Sequence, residues 1–139
     1  MKVLVIGGTR FIGPHVVRAL VSAGHQVTVF HRGHTRADFP STVEYMIGDR
    51  RKLLQFRDQF QRLSPDLAID MIAYTEEDAL SLLRSLKGIV PRVVVVSSAD
   101  VYRAYDRWRK VYCWPLESVP LTEDAPLREA IYPYREKAK

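Results

Sequence analysis

The chain has 139 residues, 47% of them apolar and 27% charged, and a formal net charge of +5. That is one domain's length with an ordinary globular composition, long enough to bury a real core. Its longest apolar runs, Val3 to Ile6 and Val93 to Val96, are too short to cross a bilayer, and its lone cysteine, Cys113, excludes an internal disulfide framework.

The chain opens with "KVLVIG", an unbroken apolar run ending in glycine, as expected of a strand buried on both faces. No signal peptide is expected ahead of it. "GPHVVRALVSAG" follows as a helix: Pro14 suits a first turn, Val16, Val17, Leu20 and Val21 form one stripe, and Gly24 closes it. "HQVTVFHRG" reads as a second strand, "HRGHTRADFPST" as mostly loop, and "TVEYMIGD" as a third strand. A helix is predicted over "RKLLQFRDQFQRL", from Leu53, Phe56, Phe60 and Leu63, with Pro65 as its stop. "DLAIDMIAY" is the fourth strand. Thr75 is placed as N-cap of "EEDALSLLRSLKG", Gly88 ends that helix, and "RVVVVSS" is the fifth strand.

Strand alternating with helix predicts an α/β fold with a doubly wound parallel sheet of about five strands, Rossmann-like. The expected domain spans residues 1–102. Residues 103–139 form a loop-rich aromatic and basic extension, and such a fold normally carries further helices and a sixth strand. The chain therefore reads as the N-terminal part of something longer.

The chemistry is concentrated in "VLVIGGTRFIG". A strand feeding a glycine turn that opens a helix is the context in which such a motif binds a dinucleotide, because the helix N-terminus offers unpaired N–H groups to a pyrophosphate. Gly7 permits the tight exit and Gly13 permits close packing of helix on sheet, while Arg10 stands where the backbone must approach the ligand. The alternative is a tight turn in an α/β protein that binds no nucleotide.

"GGTRFIG", "GDRRKL" and "VVVVSSADVY" together resemble the NAD(P)-dependent epimerase/dehydratase family, the extended short-chain dehydrogenase/reductase group. The arginine form of the turn is similar to a divergent branch that includes chloroplast stem-loop RNA-binding proteins. The resemblance is good over residues 2 to about 102. It implies an enzyme, with Gly7, Gly8, Thr9, Arg10, Phe11, Ile12 and Gly13 on the cofactor's pyrophosphate. Asp49 and Arg50 follow the third strand, Asp49 where the family's acid reaches the adenine; it serves equally as an N-cap. Ala73 matches a small residue lying against the cofactor, and Ser97 lies beside it in the family motif after the fifth strand.

NAD sites place an acid at the end of the second strand, whereas this chain has His31 and Arg32. An arginine there attracts a 2′-phosphate, so NADP is expected over NAD, with Arg10 as a second cation. A solvated loop cation is the other reading of Arg32.

The family's chemistry needs a serine or threonine, a tyrosine and a lysine four residues after it. Ser98 matches the first, or caps a strand end. No tyrosine here has lysine at the fourth following position; Tyr134, with Lys137 three residues on, is the nearest approach. Family substrates are often nucleotide-activated sugars.

Between Val101 and Trp114, five aromatics interleave with Arg103, Arg107, Arg109 and Lys110. They suit a substrate site, single-stranded RNA, or packing at a homo-oligomer interface. The functions expected are thus an NAD(P)-dependent epimerase/dehydratase or reductase, an RNA-binding protein on the same scaffold, or an NADP-binding regulator without turnover. No metal and no membrane partner is expected, and the cytoplasm is the expected compartment.

Overall fold

A computed structural model describes residues 1–35, 37–108 and 115–129. The chain divides into two units, Met1–Val96 and Ser97–Lys139.

The first unit is a five-stranded sheet of β1 (Lys2–Ile6), β2 (Gln26–His31), β3 (Glu44–Ile47), β4 (Leu67–Asp70) and β5 (Val93–Val95). All neighbours pair in parallel, in the order β3-β2-β1-β4-β5. Helices α1 (Gly13–Ser22), α2 (Arg57–Leu63) and α3 (Glu76–Leu86) supply three of the four crossovers, and among the described residues the connection from β2 to β3 is loop. This is the doubly wound parallel sheet that the alternating pattern predicts.

Side chains alternate across a strand, so β1 feeds two cores. Val3 and Val5 pack with Val17 of α1, Val27 and Val29. Leu4 and Ile6 pack on the opposite face with Phe30, Leu53, Phe60, Leu82 and Leu86. Because both faces are covered, β1 reads as a continuous apolar run.

The helix predicted after the third strand is split. Residues Arg50–Phe56 form a 3-10 turn, non-helical at Lys52, before α2 begins. Both pieces satisfy the same apolar spacing, since Leu53, Phe56 and Phe60 enter one core. Phe30 sets its ring edge-on to Phe56 at 4.9 Å and to Phe60 at 5.8 Å. Gly48 lies so close to Phe30 and Phe56 that any side chain there would strike both rings. Helix α3 opens with a capping box: Thr75 accepts from the Asp78 N–H, and Asp78 accepts from the Thr75 N–H.

In the second unit, a 3-10 turn Ala99–Val101 leads to the short helix α4 (Ala104–Trp108). Tyr102 and Leu127 form an isolated antiparallel bridge. The Arg128 guanidinium, largely buried, pairs with Asp100 at 3.0 Å and Asp106 at 3.2 Å. Arg103 pairs with Glu117 at 2.6 Å. Among the described residues, no helix is long and apolar enough to cross a membrane, and no histidine, cysteine and carboxylate cluster is placed to hold a metal.

Candidate functional site

β1 lies between β2 and β4, where the strand order reverses, and the carboxyl ends of these strands frame a crevice in such sheets. The glycine turn sits there. Gly7 and Gly8 adopt φ of +91° and +84°, left-handed conformations that side chains resist. A Cβ on Gly13 would overlap the Gly8 backbone, so the start of α1 is seated directly on the turn. The Gly13 N–H donates to the Arg10 carbonyl at 3.0 Å, and Pro14, which lacks an N–H, occupies the first turn where none is needed. The result is a turn with glycine at Gly7, Gly8 and Gly13 leading into a helix N-terminus, which fits the pyrophosphate of a dinucleotide. Phe11 closes the turn with φ +53°, a strained value for a residue with a side chain, and its ring is 90% exposed.

Arg10 does not lie across this cradle. Its Nε donates to Thr35 Oγ1 at 3.0 Å, which draws the side chain toward the loop after β2. Arg32, in the same loop, is exposed. His31 precedes it and is partly buried, with its ring edge-on to Tyr45 at 5.4 Å. His31 Nδ1 accepts from the Gly33 N–H at 3.2 Å, so Nε2 carries the proton of the neutral ring. Burial lowers the His31 pKa below its ordinary 6.5. Among the described residues, Arg10, Arg18 and Arg32 are cations of this loop, Arg18 donating to the Asp38 carbonyl at 2.7 Å, with His31 a neutral neighbour near pH 7.

Past β3, Asp49 caps the 3-10 turn, accepting from the Arg51 N–H at 3.0 Å and pairing with the Arg51 guanidinium at 2.9 Å. Hydrogen bonds from the Arg51 side chain, then from its N–H, hold the Asp49 carboxyl down at about 2, and Arg32 adds a smaller pull. The N-cap reading of Asp49 is thus realised.

Arg50 is drawn the other way. Its guanidinium is buried, with one terminal nitrogen 2.6 Å from Asp70 and the other 2.8 Å from Asp78. Asp70 and Asp78 were no part of the predicted site, although a carboxylate inside the apolar run "LAID" is itself a signal of a buried partner. Thr35 has no comparable signal. Ala73 lies in the loop between β4 and α3, half-buried.

With this geometry in view, similarity to known proteins is decisive. The model of the "NAD dependent epimerase/dehydratase family" matches residues 3–135. The chain belongs to this family. It is 32% identical over 118 residues to the chloroplast stem-loop binding protein of 41 kDa b of Arabidopsis thaliana, covering 76% of this chain and 31% of that protein. It is 40% identical over 102 residues to 2′-dehydrokanamycin reductase of Streptomyces kanamyceticus, covering 70% and 28% respectively. The UDP-glucose-4-epimerase of Stenotrophomonas maltophila, solved with bound NAD and formylated UDP-arabinopyranose, superposes with a TM-score of 0.72 at 20% identity, covering 92% of this chain and 43% of that one. The chain thus spans between a quarter and a half of the length of these family members.

In the second unit, Ser98 caps the Ala99–Val101 turn, its Oγ accepting from the Asp100 N–H at 3.2 Å. That bond uses a lone pair and leaves the hydroxyl hydrogen to donate. Ser97 is exposed beside it. Trp108 is exposed and sets Tyr105 edge-on at 6.2 Å. Tyr134 and Lys137, with Arg109 and Lys110, lie outside the described residues.

Proposed function

We propose that this chain supplies the cofactor-binding portion of an NAD(P)-dependent epimerase/dehydratase, and that it selects NADP. Family membership supports the cofactor class, and the turn of Arg10 onto Thr35 carries the choice of phosphate. That turn leaves the glycine cradle open and brings a guanidinium to the loop holding Arg32, at a strand end where His31 and Arg32 stand in place of an acid.

In this reading the main chain of Gly8 to Gly13 grips the pyrophosphate, and Arg10 and Arg32 fork onto the 2′-phosphate. Ala73 borders the far half of the dinucleotide, and the family resemblance assigns Ser97 to the cofactor as well. The nicotinamide, when bound, supplies reversible hydride exchange. Ser98 donates its hydroxyl hydrogen to the substrate oxygen, and the substrate is a nucleotide-activated sugar or a similar alcohol or ketone. We place the protein in the cytoplasm.

Titration calorimetry with both nucleotides tests the reading. NADP is expected to bind about tenfold tighter than NAD, the worth of one or two charge-assisted hydrogen bonds. Equal or tighter binding of NAD overturns the preference.

A second reading, RNA binding, draws on the exposed Trp108 and on the similarity to a stem-loop binding protein. Phosphate contacts are strongest at low salt, so a gel-shift titration showing no complex there rejects it.

A further inference from the structure

Loop 71–75 joins β4 to α3, and each of its ends is fixed by a carboxylate. Asp70 Oδ1 accepts from the Ile72 N–H at 2.9 Å. Asp78 Oδ2 accepts from the Tyr74 and Thr75 N–H groups at 3.1 and 3.0 Å. The remaining oxygens of both carboxylates converge on Arg50. One terminal nitrogen of Arg50 donates to Asp70 Oδ2 at 2.6 Å and to the Asp78 carbonyl at 3.1 Å, and the other donates to Asp78 Oδ1 at 2.8 Å. A single guanidinium thereby ties the strand end of the loop to its helix end.

The loop in turn packs on the glycine turn. A Cβ at Gly7 would come within 3.1 Å of Ile72 and 3.3 Å of Met71. In the strand order β3-β2-β1-β4-β5, the loop after β4 lies on the side of the glycine turn opposite β2, whose following loop carries Arg32. A dinucleotide gripped at its centre by the turn, with adenosine toward β2, presents its other half to this loop.

We infer that Arg50, Asp70 and Asp78 are positioning residues for the half of the dinucleotide remote from adenosine. This inference rests on the cofactor reading above. Arg50 acts through the loop and touches no ligand. Its Nε is buried and, among the described residues, has no hydrogen-bond partner, so the two terminal nitrogens do all the bridging. A lysine nitrogen in place of the shared terminal nitrogen meets Asp70 and the Asp78 carbonyl but leaves the Asp78 carboxylate without its partner, so the fork geometry of arginine is the requirement.

Two variants test this, with NADP and adenosine 2′,5′-bisphosphate as paired probes. Arg50→Lys keeps a cation against buried Asp70 but gives up the bond to the Asp78 carboxylate. Asp78→Asn keeps an oxygen to cap Tyr74 and Thr75 but drops the charge that holds Arg50. Each variant is expected to bind NADP about tenfold more weakly, the worth of one charge-assisted bond, while binding the bisphosphate as the unaltered protein does. Amide exchange at Ile72, Tyr74 and Thr75 is expected to quicken in Arg50→Lys.

A purely structural role weakens both probes together and overturns the inference, as does unchanged NADP binding in both variants. Failure of the unaltered protein to bind either nicotinamide nucleotide sinks the cofactor reading and this inference with it. Binding by the unaltered protein without the split between probes sinks the inference alone.

Discussion

Arg10 Nε and Thr35 Oγ1 meet at 3.0 Å, joining the glycine turn to the loop after β2. The bond fixes a side chain that would otherwise have several rotamers, and it fixes it away from the cradle. Arg10→Gly is expected to remove the NADP preference, moving the NADP-to-NAD affinity ratio by about tenfold while leaving NAD binding intact. Thr35→Val, which frees Arg10 without removing its charge, is expected to weaken NADP less than Arg10→Gly does. Calorimetry on the two variants checks the order.

The glycines of the first unit differ in what a side chain would meet. At Gly13 a Cβ overlaps the Gly8 backbone, whereas at Gly24, with φ +78°, nothing lies within 4 Å. Gly24→Ala therefore carries only left-handed strain, about 1–2 kcal/mol. Gly13→Ala must push α1 off the turn, which costs about 1–3 kcal/mol in overpacking and opens the phosphate cradle. Urea denaturation is expected to show both as destabilised, while nucleotide binding is lost only in Gly13→Ala.

Local rules made most of this fold legible. The pleat shows in β1, whose neighbours Val5 and Ile6 serve opposite cores, and the capping box shows in the Thr75 to Asp78 spacing. The family motifs located the glycine turn for the same reason: their residues are contiguous. What escaped was made by pairs distant in the chain. Arg50 reads as a cofactor contact in "GDRRKL", yet its partners lie 20 and 28 residues away. Pulling that guanidinium inward to Asp70 also accompanies the break of the predicted helix into a 3-10 turn and α2. Nothing in the local spacing reports such a pull, because Leu53 and Phe60 reach the core in either geometry.

Asp49 offers a direct electrostatic check. Its carboxyl sits at about 2 because Arg51 donates to it from both side chain and main chain. Carbon-detected NMR titration is expected to place its midpoint near that value. Arg51→Ala is expected to bring it up toward the ordinary carboxylate range without displacing the main-chain bond. A midpoint unchanged by the substitution means that Arg51 is not the cause.

His31 sets a pH dependence of the opposite sense to a paired histidine. Burial disfavours the imidazolium, so its folded pKa lies below 6.5. Between that folded value and 6.5 the unfolded chain binds a proton that the folded chain does not. Stability is therefore complete above 6.5, falls as the pH drops through this window, and levels off for this group once the folded form also takes up its proton. Protonation also adds a cation beside Arg32, next to the site proposed for the 2′-phosphate. Bound NADP is then expected to raise the His31 pKa, since the phosphate stabilises the imidazolium, and to make NADP affinity rise, relative to that of His31→Phe, as pH falls below 6.5. His31→Phe, which keeps the edge-on packing against Tyr45, is expected to abolish both the stability slope and the extra NADP affinity at low pH. If the slope disappears and the affinity trend survives, the 2′-phosphate does not lie within reach of this ring.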